Sequence, residues 1–159
     1  MPVRVLCLGN DLLADDAFGL LVARQLRAQL PGIEVVETME SGFRLLDYTL
    51  GAASLLVIDT VLTGKARPGT VHVLSEAEFA SAPGGSPHYL GLFETLALGR
   101  RLGLPVPSEV VILAVEAADC LTIGGAIDPA VQAALPVVVD LARKLINGES
   151  VFTDQSGGV

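Results

Sequence analysis

The stretch GNDLLADDAFG, residues 9–19, carries three acids, Asp11, Asp15 and Asp16, where an apolar run gives way to a helical pattern. A fourth acid, Asp59, closes the apolar run SLLVI (54–58). His88 lies in GGSPHYLGL (84–92), directly before a helical pattern that begins near Tyr89. Asp16, Asp59 and His88 together would supply two carboxylate groups and one imidazole nitrogen. That donor set suits a borderline divalent metal and leaves positions open for a further ligand. A cation would also relieve the repulsion between the adjacent Asp15 and Asp16. Each residue has a plainer use as well. Asp15 is placed to cap the helix that starts near Asp16, and Asp16 to complement its dipole. Asp59 suits a turn after a strand, and His88 a hydrogen bond at a helix end.

For three residues so far apart in sequence to meet, the fold must carry them to one edge. VRVLCL (3–8), IEVVE (33–37), SLLVI (54–58), TVHVL (70–74) and EVVILAV (109–115) read as strands, several of them apolar on both faces as in a covered sheet. Helical stripes lie between them: Phe18, Leu21, Val22, Leu26 and Leu30 form one, and Val131, Leu135, Val138, Leu145 and Ile146 form another over 129–147. Asp128 and Pro129 supply the second with an N-cap and a first helical residue. Helical patterns over 43–50 and 89–102 complete the set. The alternation predicts one α/β domain over residues 1–147, with a largely parallel sheet of about five strands. The KARPGT turn (65–70) is short, which makes TVHVL an antiparallel neighbour of SLLVI. The tail, 148–159, lacks periodicity and is expected to be flexible.

Ligands of open α/β sheets sit beyond the carboxyl ends of the parallel strands. The first strand hands on to the acidic loop at Gly9-Asn10, and SLLVI ends at Asp59, so both acids are delivered to that edge. If the helix after His88 returns over the sheet, the imidazole faces the same crevice.

Composition removes other classes. The chain has 159 residues, is 51% hydrophobic and carries a net charge of -8, enough for a sizeable core and the wrong sign for binding phosphate backbones. No nucleic-acid partner is expected. The start, MPVRVLCLGN, is too short an apolar stretch for a secretory signal or a bilayer span, so a cytoplasmic protein with no membrane partner is expected. Cys7 and Cys120 form no CxxC; Cys7 reads as core. His72, between two valines, reads as a sheet-surface residue. The glycines after the first strand match neither GxGxxG nor a P-loop, and the carboxylates beside them would repel phosphate. No GxSxG elbow is present to make Ser86 a nucleophile with His88.

VLCLGNDLLADDAFG, LLVIDTV, PGTVHVL, SPHYLGL, VVILAVE and IDPAVQAALP, in this order and spacing, resemble the [NiFe]-hydrogenase maturation endopeptidases over about residues 3–146. The resemblance implies a single-domain, three-layer α/β/α fold of phosphorylase/hydrolase-like type with a twisted, mostly parallel sheet. It implies a hydrolase, classed as an aspartic-type endopeptidase, that removes a C-terminal peptide from the nickel-loaded hydrogenase large-subunit precursor as the last step of maturation. The family's metal-contacting positions fall on Asp16, Asp59 and His88, which are also the implied catalytic residues. The nickel is then supplied by the substrate, with the free enzyme binding a divalent metal weakly, and the enzyme is a monomer or weak oligomer. Two departures stand out. Asp16 occupies a position where family members often carry Glu, and ETMESG (37–42) replaces an Asp-Gly-Gly-Thr-like stretch, with Glu37 at the acid position. Two readings from other classes stay open: a non-catalytic chaperone that checks the precursor for nickel, and a small-ligand-binding α/β module.

Overall fold

The computed structural model describes residues 3–10, 12–76, 78 and 92–149. Five strands, β1 (Val3–Leu8), β2 (Glu34–Thr38), β3 (Ser54–Val61), β4 (Val71–Ser75) and β5 (Glu109–Glu116), form one sheet in the order β2-β1-β3-β5-β4. β1 runs parallel to β2 and β3, and β3 parallel to β5. The helices are α1 (Phe18–Gln29), α2 (Leu46–Thr49), α3 (Leu92–Arg101), α4 (Pro129–Ala133) and α5 (Leu135–Ile146).

The period of two along each strand sorts the core into two layers. Val5 and Cys7 of β1 face α1 and α5, where Phe18, Val22, Leu26, Val138 and Ala142 pack with Ile58 of β3 and Leu113 of β5. Leu6 and Leu8 face the opposite way, toward Leu45, Val57, Val61 and the α3 residues Leu92 and Leu96. Both faces of the central strands are therefore covered, as the continuous apolar runs of the sequence require. The stripe assigned to residues 18–30 is the buried face of α1.

Three local expectations are corrected. β4 is antiparallel, but its partner is β5, with His72 opposite Ala114, and not β3. Both edges of β3 are already taken by β1 and β5, so the returning chain passes over and adds to the outer edge. Gly69, at φ +89°, makes the turn that allows this, and its N–H donates to the Glu116 carbonyl. The helix expected over 129–147 is two helices, α4 and α5, joined at Ala134; Pro136 has no N–H to continue the ladder. Its start is as expected: Asp128 accepts from the Ala130 N–H, and Pro129 is the first helical residue. The helical pattern over 43–50 is a 3₁₀ turn, Gly42–Leu45, followed by the single turn of α2. Among the described residues, no helix is long and apolar enough to cross a membrane.

Candidate functional site

The chain leaves β1 toward β2 on one side, and β3 lies on the other, so the loops after β1 and β3 part at a topological switch point. The loop after β1 folds into a 3₁₀ turn, Ala14–Ala17, pressed against the strand it has just left. Gly9 and Gly19 make the approach possible. A Cβ on Gly9 would collide with the Asp16 carbonyl, and one on Gly19 with that of Leu8. The glycines of GNDLLADDAFG thus serve backbone packing, which agrees with the absence of a phosphate-binding pattern. The Asn10 N–H donates to the Asp16 carbonyl at 3.1 Å, fixing where that residue sits.

Asp16 and Asp59 are brought together through Thr60. The Thr60 hydroxyl donates to Asp16 Oδ1 at 3.2 Å, and the Thr60 N–H donates to Asp59 Oδ1 at 2.7 Å. All three are buried. Alternation explains the geometry: Thr60 shares the face of Ile58, the α1 side from which Asp16 comes, while Asp59 shares the face of Val57 and Val61, against the α3 layer. α3 is the helix that follows the His88 segment, and it does return over the sheet. His88 itself, like Asp11, lies outside the described residues. Among the described residues no three His, Cys, Asp or Glu side chains are grouped so as to hold a metal ion. Asp16 and Asp59 are the two described members of the O,O,N set expected from the sequence.

Sequence reasoning missed two members of this site. Thr60 lies beyond the strand read over 54–58, and β3 in fact runs on to Val61; a hydroxyl next to Asp59 was the available signal. Cys120 lies with its Sγ 3.7 Å from the Thr60 hydroxyl oxygen. Burial, and then the charges of Asp16, Asp15 and Asp59, push this thiol up to about 11 against the opposing Thr60 hydrogen bond. At neutral pH it is a neutral thiol and no nucleophile. Cys7 is core, as read, and burial pushes it up to about 12.

Asp15 does not cap a helix. No side chain caps the 3₁₀ turn or α1. Its fully buried carboxylate instead accepts the N–H groups of Ala118 and Asp119, each at 2.8 Å, and of Asp128 at 2.7 Å. One side chain thereby pins both ends of the loop between β5 and α4, which carries Cys120. Glu37 of the departing ETMESG stretch pairs with Arg27 of α1 at 3.1 Å, both partly exposed. Its Thr38 carbonyl accepts from the Gly9 N–H, so this stretch braces the loop after β1. His72 is half-buried, with Nε2 4.0 Å from the buried Glu116 carboxylate, which accepts the Thr63 N–H and hydroxyl.

The family model for hydrogenase maturation proteases (HycI) matches residues 21–145. The chain belongs to that family. The match spans Asp59 and His88; Asp16 precedes it. The hydrogenase 2 maturation protease of Escherichia coli K12 is 30% identical over 120 residues, 72% of this chain and 73% of the relative. The [NiFe] hydrogenase maturation protease HybD from Thermococcus kodakarensis superposes with a TM-score of 0.75 at 31% identity, covering 91% of this chain and 99% of that one. The hydrogenase maturating endopeptidase HybD from E. coli gives 0.76 at 27% identity, covering 93% and 94%. The family is one of hydrolases, and the five-stranded, mostly parallel sheet between helices is its fold.

Proposed function

We propose that the chain is the endopeptidase that removes the C-terminal extension of a nickel-loaded [NiFe]-hydrogenase large-subunit precursor, the closing step of that enzyme's maturation. The observation that carries this reading is the pair of buried carboxylates, Asp16 and Asp59, joined through Thr60 at the switch point of a maturation-protease fold. Two carboxylates near the carboxyl ends of parallel strands suit a divalent ion arriving with the substrate.

In this reading the precursor holds the nickel through its own cysteine thiolates, and Asp16, Asp59 and His88 take the positions left open. Recognition of the ion places the scissile peptide in the crevice. A water adds to the scissile carbonyl while a carboxylate takes its proton and passes it to the leaving amine, which is the sense in which the enzyme is aspartic-type. Because the soft ligands come from the substrate, the enzyme needs no thiolate of its own, and its resting affinity for a divalent metal is weak. The same reading has it acting in the cytoplasm, as a monomer or weak oligomer.

The test is to incubate the purified chain with nickel-loaded and nickel-free precursor and to weigh the C-terminus by mass spectrometry. Truncation of the loaded form alone is expected. Equal truncation of both would remove metal recognition from the proposal, and an intact C-terminus in both would remove the peptidase.

A further inference from the structure

Among the described residues nine large apolar side chains are exposed, and six of them follow the carboxyl ends of parallel strands: Leu12, Met39, Phe43, Leu62, Leu121 and Ile123. These six are between 48 and 81% exposed. The other three, Leu98, Leu102 and Val137, stand on or beside helices. Single exposed apolar residues need no explanation, but a group gathered on the edge that carries two buried acids does.

The group is held firmly. Leu13 bridges to Ile123, the Gly124 N–H donates to the Leu12 carbonyl at 2.8 Å, and the Ala14 N–H donates to that of Thr122 at 3.1 Å. These bonds tie the loop after β1 to the loop after β5. Within the second loop the Asp119 carboxylate accepts the N–H groups of Leu121 and Thr122. On the other side, the loop after β2 that carries Met39 is tied to Gly9 through Thr38. Apolar side chains exposed on so many backbone anchors are preorganised for contact.

We infer that this apolar collar seats an uncharged, apolar stretch of the substrate polypeptide next to the bond that is cut. The identity of that polypeptide rests on the endopeptidase reading, which the collar deepens. Continuity points to substrate as the occupant: Leu12 and Leu121 sit in the same two loops as Asp16 and Cys120, so a chain lying on the collar lies over the acids. Charge argues in the same direction. A second copy of this chain, net charge -8, would bring two acidic floors face to face, and an anionic membrane would be repelled likewise. Apolar contacts hold the polypeptide, and the carboxylates are left for the cation.

Two double variants test this, Leu121→Ser with Ile123→Ser and Met39→Ser with Phe43→Ser, beside a remote control, Leu102→Ser. Precursor binding is measured by biolayer interferometry with the unaltered Asp16 and Asp59, against a nickel-loaded precursor made uncleavable by a proline after the scissile bond, and initial rates against the concentration of the cleavable precursor. Each double variant should keep its thermal midpoint, while Kd and the half-saturating concentration rise about tenfold or more from the lost apolar burial. The control should bind as the parent does. Unchanged binding by both double variants, equal loss in the control, or a parent dimer that the variants dissociate would overturn the collar. A parent that binds through the collar but leaves the precursor uncut would overturn the peptidase reading alone. A parent that cuts, with collar variants that bind normally, would overturn the collar alone. A parent that does not bind precursor at all would overturn both.

Discussion

Asp15 and Asp16 are joined by one peptide bond and both are buried, yet they serve two different regions of the molecule. Asp15 is surrounded by backbone: three N–H groups from the β5–α4 loop point at its two oxygens. Asp16 is met by a side chain, the hydroxyl of Thr60, whose own N–H donates to Asp59. The contrast teaches how to tell two uses of a buried acid apart. A carboxylate saturated by amide donors holds the chain in shape, and its charge is spent on architecture. A carboxylate met by a side-chain hydroxyl near the carboxyl end of a parallel strand stands where such sheets bind their ligands, and that is the setting for chemistry.

The comparison breaks most visibly through Asp16→Asn and Asp59→Asn. Each should lower precursor processing by about a hundredfold or more, the scale of losing a group that works in the reaction, with little change in thermal stability. Retained processing in either variant would dissolve the distinction. Asp15→Ala is the converse. Three amide donors of a partly exposed loop would lose their acceptor, at up to about 1–3 kcal/mol each before water replaces part of it, so urea denaturation should report a clear loss. An Asp15→Ala protein as stable as the parent would show that the loop does not depend on it.

Burial acts on the thiols as well, and this gives a pH test. Cys7 is raised from the ordinary thiol value of 9.0 to about 12, chiefly by desolvation, with Arg27 lowering it and Glu37 and Asp59 raising it. A raised folded value means that the stability is fully present below about pH 9 and is lost as pH climbs toward 12. The parent should therefore lose stability across that window, and Cys7→Val should lose less of it in denaturant titrations. The smallest effect is expected at Glu37. Its pair with Arg27 is exposed enough for solvent to screen it, so Glu37→Gln should change stability by less than about 1 kcal/mol. A large loss there would promote the ETMESG stretch from a brace to a structural keystone.

The β-strand positions were legible in the sequence because an apolar run covered on both faces leaves a local signature, and α1 because its stripe repeats every turn. The edge that carries Asp16 and Asp59 was legible too, since Asp16 follows β1, Asp59 lies near the carboxyl end of β3, and parallel sheets present their carboxyl ends together. Less could be read where the partners lie far along the chain. Asp15 looked like a helix cap because capping is the local use of an acid before a helix; its actual partners are 103 to 113 residues away. Thr60 meets Asp16 across 44 residues, and Cys120 meets Thr60 across 60. The pairing of β4 with β5 depended on which strand edges were already taken.

The amino-acid sequence by itself determined the α/β class, the layering and the edge at which acids gather, because periodicity and strand ends are properties of neighbouring residues. Only the tertiary structure decided which of two adjacent aspartates holds a loop and which joins the site. Hydrogen-bond partners are assigned by what the folded chain brings within 3 Å or so, and no local pattern carries that information.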